Sequence, residues 1–200
     1  MKINEPQSES TLIYLHGFNS TPHSKKAQQL KHFLEGSDHN CLYLIPTLSF
    51  SPRQVDTAVS AIIEKQLKLG AVSLLGSSLG GYYAIHFAEK YGLYAALINP
   101  AVKPYELLDD FLGENINYYS GEQYTLTKTH MNELLALDVC HVTHPERLFL
   151  LLQTEDQTLN YREALEKLTE SIVWVEEGGS HEFDGFEKVI PDILSFLKVT

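Results

Sequence analysis

Residues 71–91 read Ala71-Val72-Ser73-Leu74-Leu75-Gly76-Ser77-Ser78-Leu79-Gly80-Gly81-Tyr82-Tyr83-Ala84-Ile85-His86-Phe87-Ala88-Glu89-Lys90-Tyr91. A short apolar run leads into Gly-Ser-Ser-Leu-Gly, and a segment of helical character follows. That is a strand, a sharp turn and a helix, with Ser78 at the apex. A serine held there needs a strained backbone if its hydroxyl is to stand clear of the sheet. Gly76 and Gly80 lie two residues to either side, where strand and helix approach too closely for a side chain. The pentapeptide alone is common in a chain with 12 glycines; its flanks give it meaning.

Outward from this turn, short apolar runs alternate with longer segments of helical period. This pattern belongs to a parallel sheet flanked by helices, an α/β fold. LIYL, CLYLI, VSLL, YAALI, RLFLLL and IVWVE are six strand candidates. Their near-continuous apolarity fits strands covered on both faces. Thr21-Pro22 reads as a helix start, with a capping hydroxyl before a proline at the first helical position, and Gly36 as the stop. Ser51-Pro52 repeats the device, with Gly70 at the end and Val55, Val59, Ile62 and Leu67 as a rough apolar stripe. In the last helix Phe186, Val189, Ile190, Ile193, Leu194 and Leu197 share one face.

Residues 103–145 interrupt the alternation. The stretch is too long for a simple crossover and mixes acidic residues, four tyrosines and weak helical pattern. Within a single domain spanning 1–200 it is a candidate helical cap, leaving the sheet just after Asn99-Pro100, near the end where Ser78 emerges. It either shapes a substrate pocket or covers a sheet edge.

Composition narrows the function class. A 200-residue chain with 44% hydrophobic residues suits one domain with a sizeable core. A net charge of -11 and a pI near 5.2, with no basic run, argue against a nucleic-acid surface and lower the prior for strongly anionic partners. Cys41 and Cys140 show no metal-type or paired spacing and read as reduced packing residues. The start, MKINEPQSES, lacks the charged-then-apolar layout of a secretory leader, and no run is long enough to span a membrane. A cytoplasmic protein is expected.

A serine nucleophile needs a histidine to take its proton and a third group to orient that histidine, in the order serine, acid, histidine on this fold. Of nine histidines, His181 is best placed, on the loop Glu177-Gly178-Gly179-Ser180 between the strand IVWVE and the last helix. The acid lies just beyond RLFLLLQT, where Asp156 and Glu155 are rivals that spacing barely separates. Asp184 is too near His181 and reads as a cap of the final helix. Two backbone N–H groups should face the developing oxyanion. Leu79 supplies one, as the residue after the serine and the first of a helix. Phe18 supplies the other, in the His16-Gly17-Phe18-Asn19-Ser20 turn after LIYL, with Asn19 as runner-up. His16 reads as a structural residue of that loop.

Other features take ordinary roles. His141 and His144 are three apart, but Val142, Thr143 and Pro145 disfavour helix there, so neither metal nor any other cofactor is expected. Gly76 to Gly81 lacks the spacing and lysine of a phosphate loop. The tyrosines at 82, 83, 91, 94, 118, 119 and 124 read as core, cap or interface residues.

Over nearly its whole length the chain resembles the small YqiA/YcfP-type bacterial esterases of the α/β-hydrolase superfamily. The likeness rests on YLHGFNSTPHSKKA, GSSLGGYYA, NPA, LLQTEDQTLNY and GGSHEFDGFE. In the family's pattern the acid lies in a segment onto which Thr154–Tyr161 aligns, which places Asp156 at the acid. Glu155, Gln157, Asn160 and Ser180 depart from that pattern. The resemblance implies esterase or thioesterase activity on small acyl substrates through Ser78, His181 and Asp156. A non-catalytic ligand-binding protein on the same scaffold is the reading from another class. Oligomeric state is open.

Overall fold

The computed structural model describes residues 10–117 and 119–199. The leader reading of residues 1–9 and the reading of Tyr118 lie outside the described residues. In chain order the elements are β1 (Ser10–Leu15), α1 (Lys25–Glu35), β2 (Cys41–Leu44), α2 (Pro52–Leu67), β3 (Val72–Ser77), α3 (Leu79–Tyr91) and β4 (Tyr94–Ile98). There follow α4 (Pro104–Leu107), β5 (Gly113–Ile116), β6 (Gln123–Leu126), α5 (Lys128–Ala136), β7 (Leu148–Gln153), α6 (Tyr161–Lys167), β8 (Ile172–Glu176) and α7 (Phe186–Phe196).

Six strands pair in the order β2-β1-β3-β4-β7-β8, every neighbour parallel. Parallel pairing requires crossovers, and the helices that make them cover the two faces. Against one face pack α1 and α7, burying Leu30, Leu34, Phe186, Ile190 and Ile193 against Leu12, Leu75 and Ile98. Against the other pack α2, α3 and α6 with the 103–145 insertion. All six expected strands form. The expected burial on both faces holds for β1, β3, β4 and β7 but not for β2, where no residue is fully buried and Leu42 is exposed, nor for β8, where Ile172, Val173 and Val175 are exposed. β2 and β8 are the two edge strands of the sheet.

Several local expectations are corrected. The first helix starts at Lys25, not Pro22: the Thr21 hydroxyl accepts from His23 N–H at 2.8 Å and the Thr21 carbonyl from Ser24 N–H at 3.0 Å, closing a separate turn first. Ser51-Pro52 does open α2, but the Ser51 hydroxyl does not cap it. Glu133 of α5 does so instead, its carboxylate accepting from Arg53 N–H and the Ser51 hydroxyl, as the positive helix end favours. Helix α2 stops at Leu67, three residues before Gly70, and its buried stripe is Val55, Val59, Ile63 and Gln66; Ile62 is half-buried and Leu67 exposed. Gly185, not Asp184, precedes α7, because its φ of 73° suits glycine. Cys140 is exposed rather than packed, while Cys41 lies against the α1/α7 core.

The insertion is not purely helical. Between α4 and α5 it contains an antiparallel hairpin, with Gly113 opposite Leu126 and Ile116 opposite Gln123. Leu108, Tyr124, Leu126, Met131 and Leu134 drop from it into the core.

Candidate active site

Ser78 occupies the turn between β3 and α3 with φ 55° and ψ -122°, a conformation that L-residues avoid. The surroundings enforce it. Ser78 N–H donates to the Ile98 carbonyl at 3.0 Å, and the Ser78 carbonyl accepts from Gly81 and Ala101 N–H at 2.9 and 3.0 Å. A methyl group on Gly76 would overlap the backbone of Gly80, and one on Gly80 the carbonyl oxygen of Leu15 at the end of β1. One on Gly81 would lie 2.6 Å from the Pro100 side chain. The glycines let β1, β3, α3 and the residues after β4 converge at one point.

His181 reaches this serine across 103 positions of chain, with Nε2 3.1 Å from Ser78 Oγ. Its Nδ1 is 2.7 Å from Asp156 Oδ2. A carboxylate only accepts, so Nδ1 carries a proton and Nε2 is left facing the hydroxyl. Gly178 and Gly179, with φ of 86° and 77°, bend the loop back over the sheet. Of the two rival acids, Asp156 meets the imidazole, and its side chain is 1% exposed; Glu155 is exposed to solvent. Successive residues leaving a strand point to opposite sides, and β7 ends at Gln153, so only one of the pair turns inward.

Burial raises the Asp156 carboxyl pKa, but hydrogen bonds from His181 and from Leu159 and Thr158 N–H outweigh it and hold the group below its ordinary 3.8. A depressed folded-state pKa contributes stability that is present above the ordinary value and lost as pH falls through the folded one. Asp156→Asn is therefore expected to unfold at lower urea than wild type at pH 7, by about 1–3 kcal/mol, with the gap closing as pH falls below the ordinary carboxyl value of 3.8. A gap that stays constant across that range would contradict the assigned ionisation.

Leu79 directly follows Ser78 in sequence, and Phe18 follows Gly17 in the turn after β1. The turn after β1 presses against the serine so closely that a methyl on Gly17 would meet Ser78 Cβ at 3.3 Å and Oγ at 3.6 Å. Among the described residues neither Phe18 N–H nor Leu79 N–H donates to another protein group. The runner-up, Asn19, has φ 51° and uses its side-chain oxygen to accept from Tyr124 Oη at 2.5 Å. His16 holds the turn as expected: Nδ1 donates to the Gly17 carbonyl at 3.0 Å and Nε2 accepts from Leu48 N–H at 3.2 Å. Burial lowers its pKa, and the Gly17 carbonyl only partly offsets that, so the ring stays neutral.

Phe18, Asn19 and Leu79 also border a cavity of about 30 Å³, closed from above by Leu108, Tyr124, Met131 and Leu134 of the insertion. The Asn117 amide adds a bond to the Ser20 carbonyl at 3.2 Å. The hairpin is thus fastened to the turn beside Ser78 at two places. Sequence reading did not find Asn117 or the role of Tyr124, because a contact between residues 105 positions apart leaves no periodic trace. Tyr124→Phe, which removes only the bond to Asn19, is expected to weaken several-fold the binding of a molecule seated beside Ser78, read as a KM where one is turned over, with little loss of folding stability. Steady-state kinetics beside a thermal melt would check this; an unchanged KM would mean that the clasp does not order the turn.

The departures near Asp156 find partners too. Gln157 Oε1 accepts from His181 N–H at 3.3 Å, Asn160 Oδ1 caps α6 through Arg162 N–H at 3.2 Å, and the Ser180 hydroxyl donates to Asp184 at 2.9 Å. His144 faces Glu146, and among the described residues no three metal-ligating side chains converge. Nor is any helix of the described chain long and apolar enough to cross a membrane.

A six-stranded parallel sheet with a strained serine on the turn after its central β3 is the α/β-hydrolase fold. Solved structures agree: Est1E from Butyrivibrio proteoclasticus superposes with a TM-score of 0.73 at 14% identity, covering 99% of this chain and 92% of that one. Mouse alpha/beta hydrolase domain-containing protein 10 gives 0.70 at 18%, covering 94% and 89%. The carboxylesterase CesB (YbfK) of Bacillus subtilis gives 0.60 at 16%, covering 96% and 85%. Residues 11–198 match the model of the uncharacterised protein family UPF0227, and the chain belongs to that family. The UPF0227 protein YcfP of Escherichia coli O9:H4 (strain HS) is 26% identical over 195 residues, 92% of this chain and 97% of that protein. A UPF0227 protein of Shewanella woodyi is likewise 26% identical, over 94% and 99%.

Proposed function

We propose that this protein is a serine hydrolase that cleaves carboxylic esters through an acyl-enzyme. The observation that carries the reading is the continuous chain from Ser78 Oγ to His181 Nε2 and from His181 Nδ1 to Asp156, at 3.1 and 2.7 Å, beginning at a backbone strained at φ 55°. A strained, over-determined serine in contact with a base has no structural purpose that an unstrained residue would not serve better.

In this mechanism Ser78 Oγ bonds to the acyl carbon while its proton passes to His181 Nε2, and the carbonyl electron pair moves onto oxygen. The N–H groups of Phe18 and Leu79 receive that oxyanion. A single such donor contributes about 3–4 kcal/mol in serine enzymes from which one has been removed. Collapse of the adduct breaks the bond to the leaving group, which takes the proton from His181. Water then attacks the acyl-serine, giving its proton to the same nitrogen, and Ser78 is released as the hydroxyl. Asp156 stays ionised and stabilises the imidazolium.

The machinery accepts an oxygen or a sulfur leaving group alike, so p-nitrophenyl esters and acyl-CoA thioesters assayed side by side separate the two. The net charge of -11 favours neutral esters over the polyanionic CoA. Ester turnover together with fluorophosphonate labelling mapped to Ser78 is the expected result. A kcat/KM dominated by thioesters would replace the ester assignment, and failure to label or turn over any acyl substrate would favour a binding protein.

A further inference from the structure

The loop carrying His181 belongs to no strand or helix, yet five backbone polar groups of Ser180, His181 and Asp184 are bonded by side chains from the ends of two neighbouring strands. Asn99, the residue after β4, donates from Nδ2 to the carbonyls of Ser180 at 3.0 Å and His181 at 3.3 Å, the groups on either side of the histidine Cα. Its Oδ1 accepts from Gln153 N–H at 3.0 Å. Gln153, the last residue of β7, accepts on Oε1 from Ser180 N–H at 3.0 Å and Asp184 N–H at 2.8 Å, and donates from Nε2 to the Asp184 carbonyl at 2.7 Å. All of these partners are backbone groups of fixed donor or acceptor character, so neither amide can be reversed without losing its bonds. Asn99 is 2% and Gln153 1% exposed. A methyl on Gly179 would overlap the Gln153 amide, which explains a glycine there beyond its positive φ.

We propose that Asn99 and Gln153 are positioning residues that hold His181 at its working distance from Ser78. The connection runs through adjacent residues. The Ile98 carbonyl takes Ser78 N–H, and the next side chain, Asn99, takes the carbonyl of His181. One dipeptide at the end of β4 thereby references both the serine and the histidine to the same strand. Asn99 keeps φ 39° to do so, a left-handed conformation that asparagine tolerates better than most residues.

The kinetic part rests on the serine-hydrolase reading; the spectroscopic part does not. Asn99→Gly keeps the left-handed backbone and removes the amide. It is expected to lower kcat about 100-fold, the cost of misplacing a catalytic group by about 1 Å, with KM within about twofold of wild type. Asn99→Asp, of equal shape but unable to donate to the two carbonyls, is expected to match it. Gln66→Met removes a buried amide far from the loop, one bonded to the Thr11 hydroxyl, and serves as control: a comparable fall in Tm with kcat unchanged. In proton spectra of imidazole-labelled protein, the 2.7 Å contact between His181 Nδ1 and Asp156 is expected to give a downfield Nδ1–H resonance in wild type that vanishes in Asn99→Gly and persists in Gln66→Met. Gln153→Met provides the same comparison if Asn99→Gly does not fold. Wild-type kcat in Asn99→Gly, or an unaltered resonance, would overturn the proposal. A wild type that turns over no acyl substrate would sink the hydrolase reading, while the resonances would still decide the positioning.

Discussion

Ser78→Ala is expected to reduce ester turnover by about 10⁴- to 10⁶-fold and to abolish fluorophosphonate labelling, while the protein stays folded. Alanine retains the Cβ and accepts the same φ of 55° at the same cost, so the turn itself is undisturbed. What disappears is the hydroxyl 3.1 Å from His181 Nε2, and no other group near it offers an equivalent nucleophile: Ser77 is buried within β3. Stability is expected to be unchanged or slightly higher, since a strained site relieved of one polar group commonly gains. Burst kinetics with a p-nitrophenyl ester, mass spectrometry of the labelled protein and a thermal melt check the three parts. Retained turnover in the variant would mean that the chemistry resides elsewhere.

Gly80→Ala is expected to have the largest effect on folding of any single methyl group in the chain. The added carbon would sit on the carbonyl of Leu15, with the His16 carbonyl also within 3 Å. Backbone cannot rotate away as a side chain can, so either β1 separates from α3 or the turn after β1 moves, and both carry the candidate site. Ordinary overpacking costs about 1–3 kcal/mol, and a clash with main chain on this scale is expected to exceed 4, against a total stability of about 5–15. The contrasting variant is Gly121→Ala: unlike Gly80, which lies within α3, it has a positive φ of 73°, but no atom lies within 4 Å of the added methyl, so only the backbone cost of about 1–2 kcal/mol applies. Denaturant midpoints and soluble yield for the two variants test this; equal losses would show that the backbone around Gly80 yields to the added methyl and that the close approach does not explain the glycine.

Much of this was legible in the chain. Residues 71–91 contain a strand, a turn and a helix in 21 consecutive positions, and each is defined by neighbours in sequence: apolar β-formers, two glycines, then helical periodicity. The six strands were legible for the same reason. The hairpin of 113–126 was not, since four-residue strands with burial on one side only leave too short an alternation to stand out among polar residues. The start of α1 was misread because Thr21-Pro22 is equally good chemistry for a separate turn. Exposure of β8 was invisible: Ile-Val-Trp-Val reads as core, and only the position of a strand in the sheet order decides whether its faces are covered.

For the site, the sequence by itself determined which residue types stand at the ends of the strands: Ser78 after β3, Asp156 after β7, His181 after β8. The order of elements is local information, and a parallel sheet sends all those ends to one edge. What only the tertiary structure decided is which of the residues meet. Spacing left Asp156 and Glu155 level, and the direction in which each leaves the strand separates them. Asn99, Gln153, Tyr124 and Glu133 gained their partners the same way, across 27 to 105 positions of chain. Hydrogen bonds are angstrom-scale and directional. They depend on the register and twist that bring distant strands side by side, and no local pattern of residues encodes that distance.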